Sequence, residues 1–107
     1  MSLVKSVYEE ETGLRVEEEF RFCPTRRWRA DFAIPSLKIL IEQEGGIWQY
    51  GRHNHAASMI ADMEKYNTAA SMGYLLLRFT PTDILKSPAI ELVRKAIAYQ
   101  QAHIKTE

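Results

Sequence analysis

Apolar and polar residues alternate along this chain with two different periods, which divide it into short segments. Val4 to Glu11 reads as a helix stopped by Thr12-Gly13, where glycine takes the left-handed backbone that closes a helix. From Val16 to Phe22 the residues Val16, Glu18, Phe20 and Phe22 alternate with Glu17, Glu19 and Arg21. From Trp28 to Ile34 the residues Trp28, Ala30, Phe32 and Ile34 alternate with Arg29, Asp31 and Ala33. A period of two predicts a strand with one buried face in each segment. Pro35-Ser36 supplies a turn, and Leu37 to Glu44, with Ile39-Leu40-Ile41 at its centre, predicts a third strand ending at Gly45-Gly46. Three strands with short connections predict an antiparallel meander.

The period then lengthens. Between His55 and Met72, Met59, Met63, Tyr66 and Ala70 recur at helical spacing and Ile60 widens the stripe, which predicts a central helix buried along that face and closed by Gly73. Tyr74 to Phe79 is an apolar run of strand length, and strand, helix, strand is the ordinary crossover to a parallel neighbour. Thr80-Pro81 and Ser87-Pro88 each read as an N-cap followed by proline in the first turn, with helix continuing to about Ile104 through Leu92, Val93, Ala96, Ile97 and Gln100. The predicted order is α, β, β, β, α, β, α, α, a mixed sheet with helices packed on it.

With 107 residues, 46% of them hydrophobic, the chain predicts a single domain over residues 1–107 with one small core. Fourteen Lys and Arg balance fourteen Asp and Glu, so net charge favours no polyanionic partner and the distribution of charge must carry any such argument. Cys23, the only cysteine, excludes an intramolecular disulfide and a multi-cysteine metal site; beside Phe20 and Phe22 it reads as a buried apolar residue of a reducing, cytoplasmic compartment. No apolar run approaches the roughly 18 residues that span a bilayer, and no signal-peptide pattern appears, so no membrane partner is expected.

Candidate chemistry gathers at one end of the predicted sheet. Asp31 sits among apolar strand neighbours, and Glu42 and Glu44, two apart in the next strand, share a face. Hairpin pairing about Pro35-Ser36-Leu37 brings Asp31 to the level of Glu42, although a slip of one residue would turn Glu42 and Glu44 to the other face. Crowded carboxylates repel, a divalent cation relieves the repulsion, and hard oxygen ligands suit Mg²⁺ or Mn²⁺. The same residues also fit a solvated polar strand end. Gly45-Gly46 leaves room for a backbone to approach. Arg26, Arg27 and Arg29 flank Trp28 ahead of Asp31, and Arg52, His53 and His55 follow Trp48 and Tyr50, a mixture of basic and aromatic residues that suits a phosphate-bearing polymer. His53-Asn54-His55 makes a weak zinc signal; a histidine there could instead activate water or protonate a leaving group. Asp62 and Lys65, three apart, suit a surface salt bridge, or Lys65 could reach over the sheet end toward the carboxylates. No phosphate-binding glycine loop and no serine nucleophile elbow is present.

The blocks Arg27-Trp28-Arg29-Ala30-Asp31-Phe32-Ala33-Ile34-Pro35, Ile41-Glu42-Gln43-Glu44-Gly45-Gly46-Ile47-Trp48, Gly51-Arg52-His53, Asp62-Met63-Glu64-Lys65-Tyr66-Asn67 and Leu77-Arg78-Phe79-Thr80 resemble the small phage and prophage endonucleases of the PD-(D/E)XK superfamily. The branch resembled lies near the very-short-patch mismatch endonuclease, and the resemblance spans roughly Glu19 to Thr80. It implies a restriction-endonuclease-like α/β fold, a mixed β-sheet core of order αβββαβ with flanking helices, and a Mg²⁺-dependent (or Mn²⁺-dependent) DNA endonuclease of a bacterial or phage-infected cytoplasm. Asp31 matches the metal-binding aspartate and Glu42 the acidic residue of the next strand. Glu44 stands where the superfamily usually carries lysine, and Lys65 from the helix is the candidate replacement. Glu19 matches an auxiliary acidic residue, and His53 and His55 resemble histidines that follow the third strand in the mismatch enzyme. The expectation is therefore a structure-specific or weakly sequence-specific nuclease, as a homodimer where two cuts are made, with catalytic Asp31, Glu42, Glu44, Lys65, Glu19 and His53. Arg26, Arg27, Arg29, Arg52 and His55 would contact DNA. The alternatives are a DNA-binding module that keeps the fold without the activity, and a structural subunit of a larger assembly.

Overall fold

The computed structural model describes residues 2–45 and 55–104. Helix α1 (Leu3–Thr12) starts at Ser2, whose hydroxyl accepts from the Lys5 N–H, and ends at Gly13, where φ is 72°. This is the predicted stop: a left-handed C′ residue carries its N–H back to the Glu9 carbonyl. Strands β1 (Glu17–Phe20), β2 (Ala30–Ile34) and β3 (Ile39–Gln43) follow, β2 and β3 being joined by a 3₁₀ turn at Pro35–Leu37. Helix α2 (His55–Ser71), strand β4 (Leu75–Phe79) and helix α3 (Ser87–Ile104) complete the order.

The sheet runs β1-β2-β3-β4, antiparallel at the first two junctions and parallel at the third, where α2 carries the chain across. The predicted mixed sheet is thus present. The Thr80-Pro81 helix is not: residues 80–86 form turns whose Asp83 and Ile84 N–H groups return to the Thr80 carbonyl, so one terminal helix stands where two were expected.

Both faces of the sheet are covered. On one face Phe32, Ile34, Ile39 and Ile41 pack with Val4 and Tyr8 of α1 and Val93 and Ala96 of α3. On the other, Ala30, Ala33 and Leu40 pack with Ala69 of α2, Phe22 and Cys23. Cys23 is buried, as its apolar neighbours predict.

The central helix has the predicted period but a shifted phase, keeping Tyr66 of the predicted stripe on the inner face and turning Met59, Ile60 and Met63 out. Met59, Ile60 and Met63 are exposed, at 39%, 66% and 52%, and the residues turned inward are Asp62, Lys65, Tyr66 and Ala69, spaced i, i+3, i+4, i+7. Glu42 decides the orientation. Its carboxylate is buried on the α2 side of β3, and a buried charge is tolerable only beside a partner, which Lys65 provides.

Candidate functional site

The register of β2 and β3 sets Phe32 opposite Ile41, so the next level toward the sheet end holds Asp31 and Glu42. No slip occurs, and the hairpin level expected from sequence is the observed one. Past the Phe32–Ile41 pair the two backbones stop pairing. The Asp31 carboxylate takes over: Oδ2 accepts the Gln43 N–H at 2.7 Å, in the place of a ladder carbonyl. Strand β4 then sets Arg78 opposite Glu42, so Asp31, Glu42 and Arg78 stand on three adjacent strands at the carboxyl end of the parallel β3–β4 pair.

Lys65 descends on this group from α2. Its Nζ donates to Glu42 Oε2 at 3.1 Å and to the Arg29 carbonyl at 2.8 Å. The Glu42 side chain is 9% exposed and that of Lys65 17%. Burial pushes the Glu42 carboxyl above its ordinary value; Lys65 opposes that rise, and the charges of Asp31 and Glu44 add to it. Asp31 and Glu44 are therefore each within electrostatic reach of Glu42.

Glu44 is held differently. Its N–H donates to the Phe79 carbonyl at 2.8 Å, which extends the parallel ladder one residue past β3. Its Oε2 accepts from Arg78 Nε at 3.1 Å and from the Tyr66 hydroxyl at 3.2 Å, and the Arg78 guanidinium lies 4.7 Å from the centre of the Tyr66 ring. Burial, together with the charges of Glu42 and Glu44, drives the Tyr66 phenol far above its usual range, so it stays protonated and donates. Tyr66 and Arg78 were not anticipated as site residues. Tyr66 fell in an apolar stripe, but Arg78, the only charge in the run Tyr74 to Phe79, is a signal that the strand's α2 side is not wholly apolar.

Among the described residues no three or more His, Cys, Asp and Glu side chains are gathered as a ready metal cage. The donor chemistry nonetheless suits a hard cation. Asp31, Glu42 and Glu44 each engage one carboxylate oxygen with the protein, and the second oxygen of each has no hydrogen-bond partner among the described residues.

Of the predicted DNA contacts, Arg26 is occupied: it pairs with Glu64 at 2.8 Å and stacks 3.9 Å over Trp28, which in turn stacks on Phe22. The Arg27 and Arg29 side chains are exposed, with no ion pair among the described residues. Glu19 is exposed in the edge strand β1 with a left-handed backbone, φ 50°, at the level of Asp31 between the pairs Glu18–Phe32 and Phe20–Ala30. Arg52 and His53, with Gly46, Trp48 and Tyr50, lie outside the described residues, and His55 begins α2. No helix among the described residues is long and apolar enough to cross a membrane. No family model, curated protein or solved structure matches the chain.

Proposed function

We propose that the chain is a divalent-metal-dependent DNA endonuclease that cuts phosphodiester bonds at the carboxyl end of β3 and β4. The observation that carries this reading is the buried Glu42–Lys65 pair set beside Asp31. Structural ion pairs are usually exposed and contribute little, whereas a desolvated carboxylate and ammonium next to a second carboxylate are costly to maintain and typical of reactive sites. The order α, β, β, β, α, β supports the restriction-endonuclease-like core, and Lys65 supports the reading of a lysine moved from strand to helix.

Asp31 and Glu42 would hold Mg²⁺ through their open oxygens, with Glu44 beside them. Bound there, the cation would polarise a phosphodiester and lower the pKa of a coordinated water. The remaining work belongs to side chains. Lys65, fixed by Glu42 and the Arg29 carbonyl, keeps a positive charge where negative charge grows on the scissile phosphate. Arg27 and Arg29, exposed on the approach to Asp31, bind the flanking backbone. Arg26 serves mainly to tie that approach to α2 through Glu64.

The test is cleavage of supercoiled plasmid and of labelled branched and linear oligonucleotides with Mg²⁺, Mn²⁺ or EDTA, by the wild type and by Asp31→Ala. Metal-dependent cutting that the substitution abolishes is the expected result. A second reading, DNA binding without catalysis, draws on the same geometry: Lys65 and Arg78 already neutralise Glu42 and Glu44 without a metal. It predicts tight binding in EDTA, no cutting in any metal, and no loss of affinity in Asp31→Ala.

A further inference from the structure

We infer that Glu44 is a positioning residue rather than a metal ligand, and that it holds the Arg78 guanidinium as a binding site for one backbone phosphate of the nucleic acid. The inference rests on the DNA reading above and names a contact within it.

Three observations converge on Arg78. It is the β4 partner of Glu42, one strand from the proposed reaction centre and on the same face. Its guanidinium is fixed from two directions, by the Nε–Glu44 hydrogen bond and by the Tyr66 ring, and Tyr66 also donates to the same Glu44 oxygen. Its side chain is nonetheless 46% exposed. Nε alone is committed, so among the described residues the four N–H bonds of Nη1 and Nη2 have no protein acceptor. An oriented guanidinium with both terminal nitrogens open matches the paired oxygens of a phosphate, a geometry that lysine cannot reproduce.

A purely structural role leaves the outer end of the guanidinium unexplained, because Glu44, 16% exposed, takes only Nε while the Arg78 side chain is 46% exposed. The same geometry accounts for the departure at position 44. Lysine there would face Arg78 with like charge, whereas glutamate accepts from both Arg78 and Tyr66. With Glu44 Oε2 shared by two donors, Asp31 and Glu42 are the better-placed metal ligands.

The test separates DNA binding from metal binding. Affinity for a short labelled duplex is measured by fluorescence anisotropy in EDTA across a salt series, and Mn²⁺ binding is measured by electron paramagnetic resonance without DNA. Arg78→Gln is expected to weaken duplex binding roughly tenfold at low salt and to reduce the slope of log affinity against log salt by about one. Arg78→Lys should keep the slope and lose part of the affinity. Glu44→Gln should leave Mn²⁺ affinity at the wild-type level while Asp31→Asn lowers it. Its effect on duplex binding should differ several-fold between the wild-type and Arg78→Gln backgrounds. Thermal melting by circular dichroism checks that each variant folds.

Wild-type duplex affinity and slope in Arg78→Gln, or loss of Mn²⁺ in Glu44→Gln as large as in Asp31→Asn, would overturn the inference while a cutting wild type leaves the nuclease reading intact. Duplex binding that responds to Arg78 without any cleavage would support the inference and remove the nuclease. A wild type that binds no duplex at low salt overturns both.

Discussion

On one side of the sheet, α1 and α3 enclose branched apolar residues, and among the described residues the polar groups buried there are neutral: the Tyr8 hydroxyl donates to the Ile84 carbonyl at 2.5 Å and Gln100 Nε2 to the Leu37 carbonyl at 2.7 Å, while the charged Lys5 and Glu9 stay at the rim on the Val16 backbone. On the other, α2 rests on small residues, Ala30, Ala33 and Ala69, and then on charge, as Lys65 and Tyr66 meet Glu42, Glu44 and Arg78. The first arrangement stabilises through area removed from water. The second gives up apolar burial along half a helix to gather carboxylates and cations: Asp31, Glu42 and Glu44 with Lys65 and Arg78, and Asp62 within electrostatic reach of Arg78. Ile41 and Glu42, adjacent in β3 and on opposite faces, mark the division within one strand.

The largest expected effect falls on the charged side. Asp31→Asn keeps an oxygen that can accept the Gln43 N–H, so the fold should hold, with a melting temperature within about 3 °C of wild type. Mg²⁺-dependent cleavage should fall on the order of a thousandfold, about 4 kcal/mol of barrier. Plasmid cleavage within tenfold of wild type would place the chemistry elsewhere. On the apolar side, Ile41→Ala removes a fully buried side chain and should cost about 2–5 kcal/mol by urea denaturation. Unfolding that is little changed would mean that this face is not the main source of stability.

The same division explains what could be read from the sequence. Strand positions, the Gly13 stop and the level of Asp31 against Glu42 were legible because each depends on neighbours a few residues away: a period, a turn, a hairpin. The inward face of α2 was not. Met59 and Met63 satisfy helical spacing with Tyr66 as well as Asp62, Lys65 and Ala69 do, and which set accompanies Tyr66 inward depends on a charge 23 residues before Lys65, Glu42, whose burial requires that lysine. Period is local and phase is tertiary. The Thr80-Pro81 helix failed for a related reason: capping chemistry marks a turn as readily as a helix, and here the Thr80 carbonyl and hydroxyl close a turn. Arg78 and Tyr66 became site residues only when β4 was set beside β3.

A smaller effect should appear in Tyr8, which carries the polar link of the apolar face. Tyr8→Phe removes the donor to the Ile84 carbonyl and should cost about 1–3 kcal/mol. Burial pushes the Tyr8 phenol up to about 12 from 10.0. The folded state therefore holds its proton more tightly than the unfolded one, so this contribution is complete below pH 10 and is lost as pH rises toward 12. Urea midpoints between pH 9 and pH 12 should fall less steeply in Tyr8→Phe than in wild type; parallel curves would show that another group controls alkaline unfolding.

The smallest effect tests the phase of α2 itself. Ile60 is the most exposed of the three apolar residues on its outer face, so Ile60→Ser should change unfolding free energy by about 0.5 kcal/mol or less, near the cost of an ordinary surface substitution. Ala69, nine residues on and 1% exposed, lies against the sheet, and Ala69→Leu should cost about 1–3 kcal/mol because the added carbons must displace the buried neighbours packed there. The pair discriminates better than either variant alone. Were the helix turned to bury Met59, Ile60 and Met63, the order would reverse, with Ile60→Ser the damaging change and Ala69→Leu tolerated. Lys65 would then lose Glu42, leaving a buried carboxylate without its cation. A reversed order in urea denaturation would accordingly count against the proposed reaction centre as well as against the packing of α2.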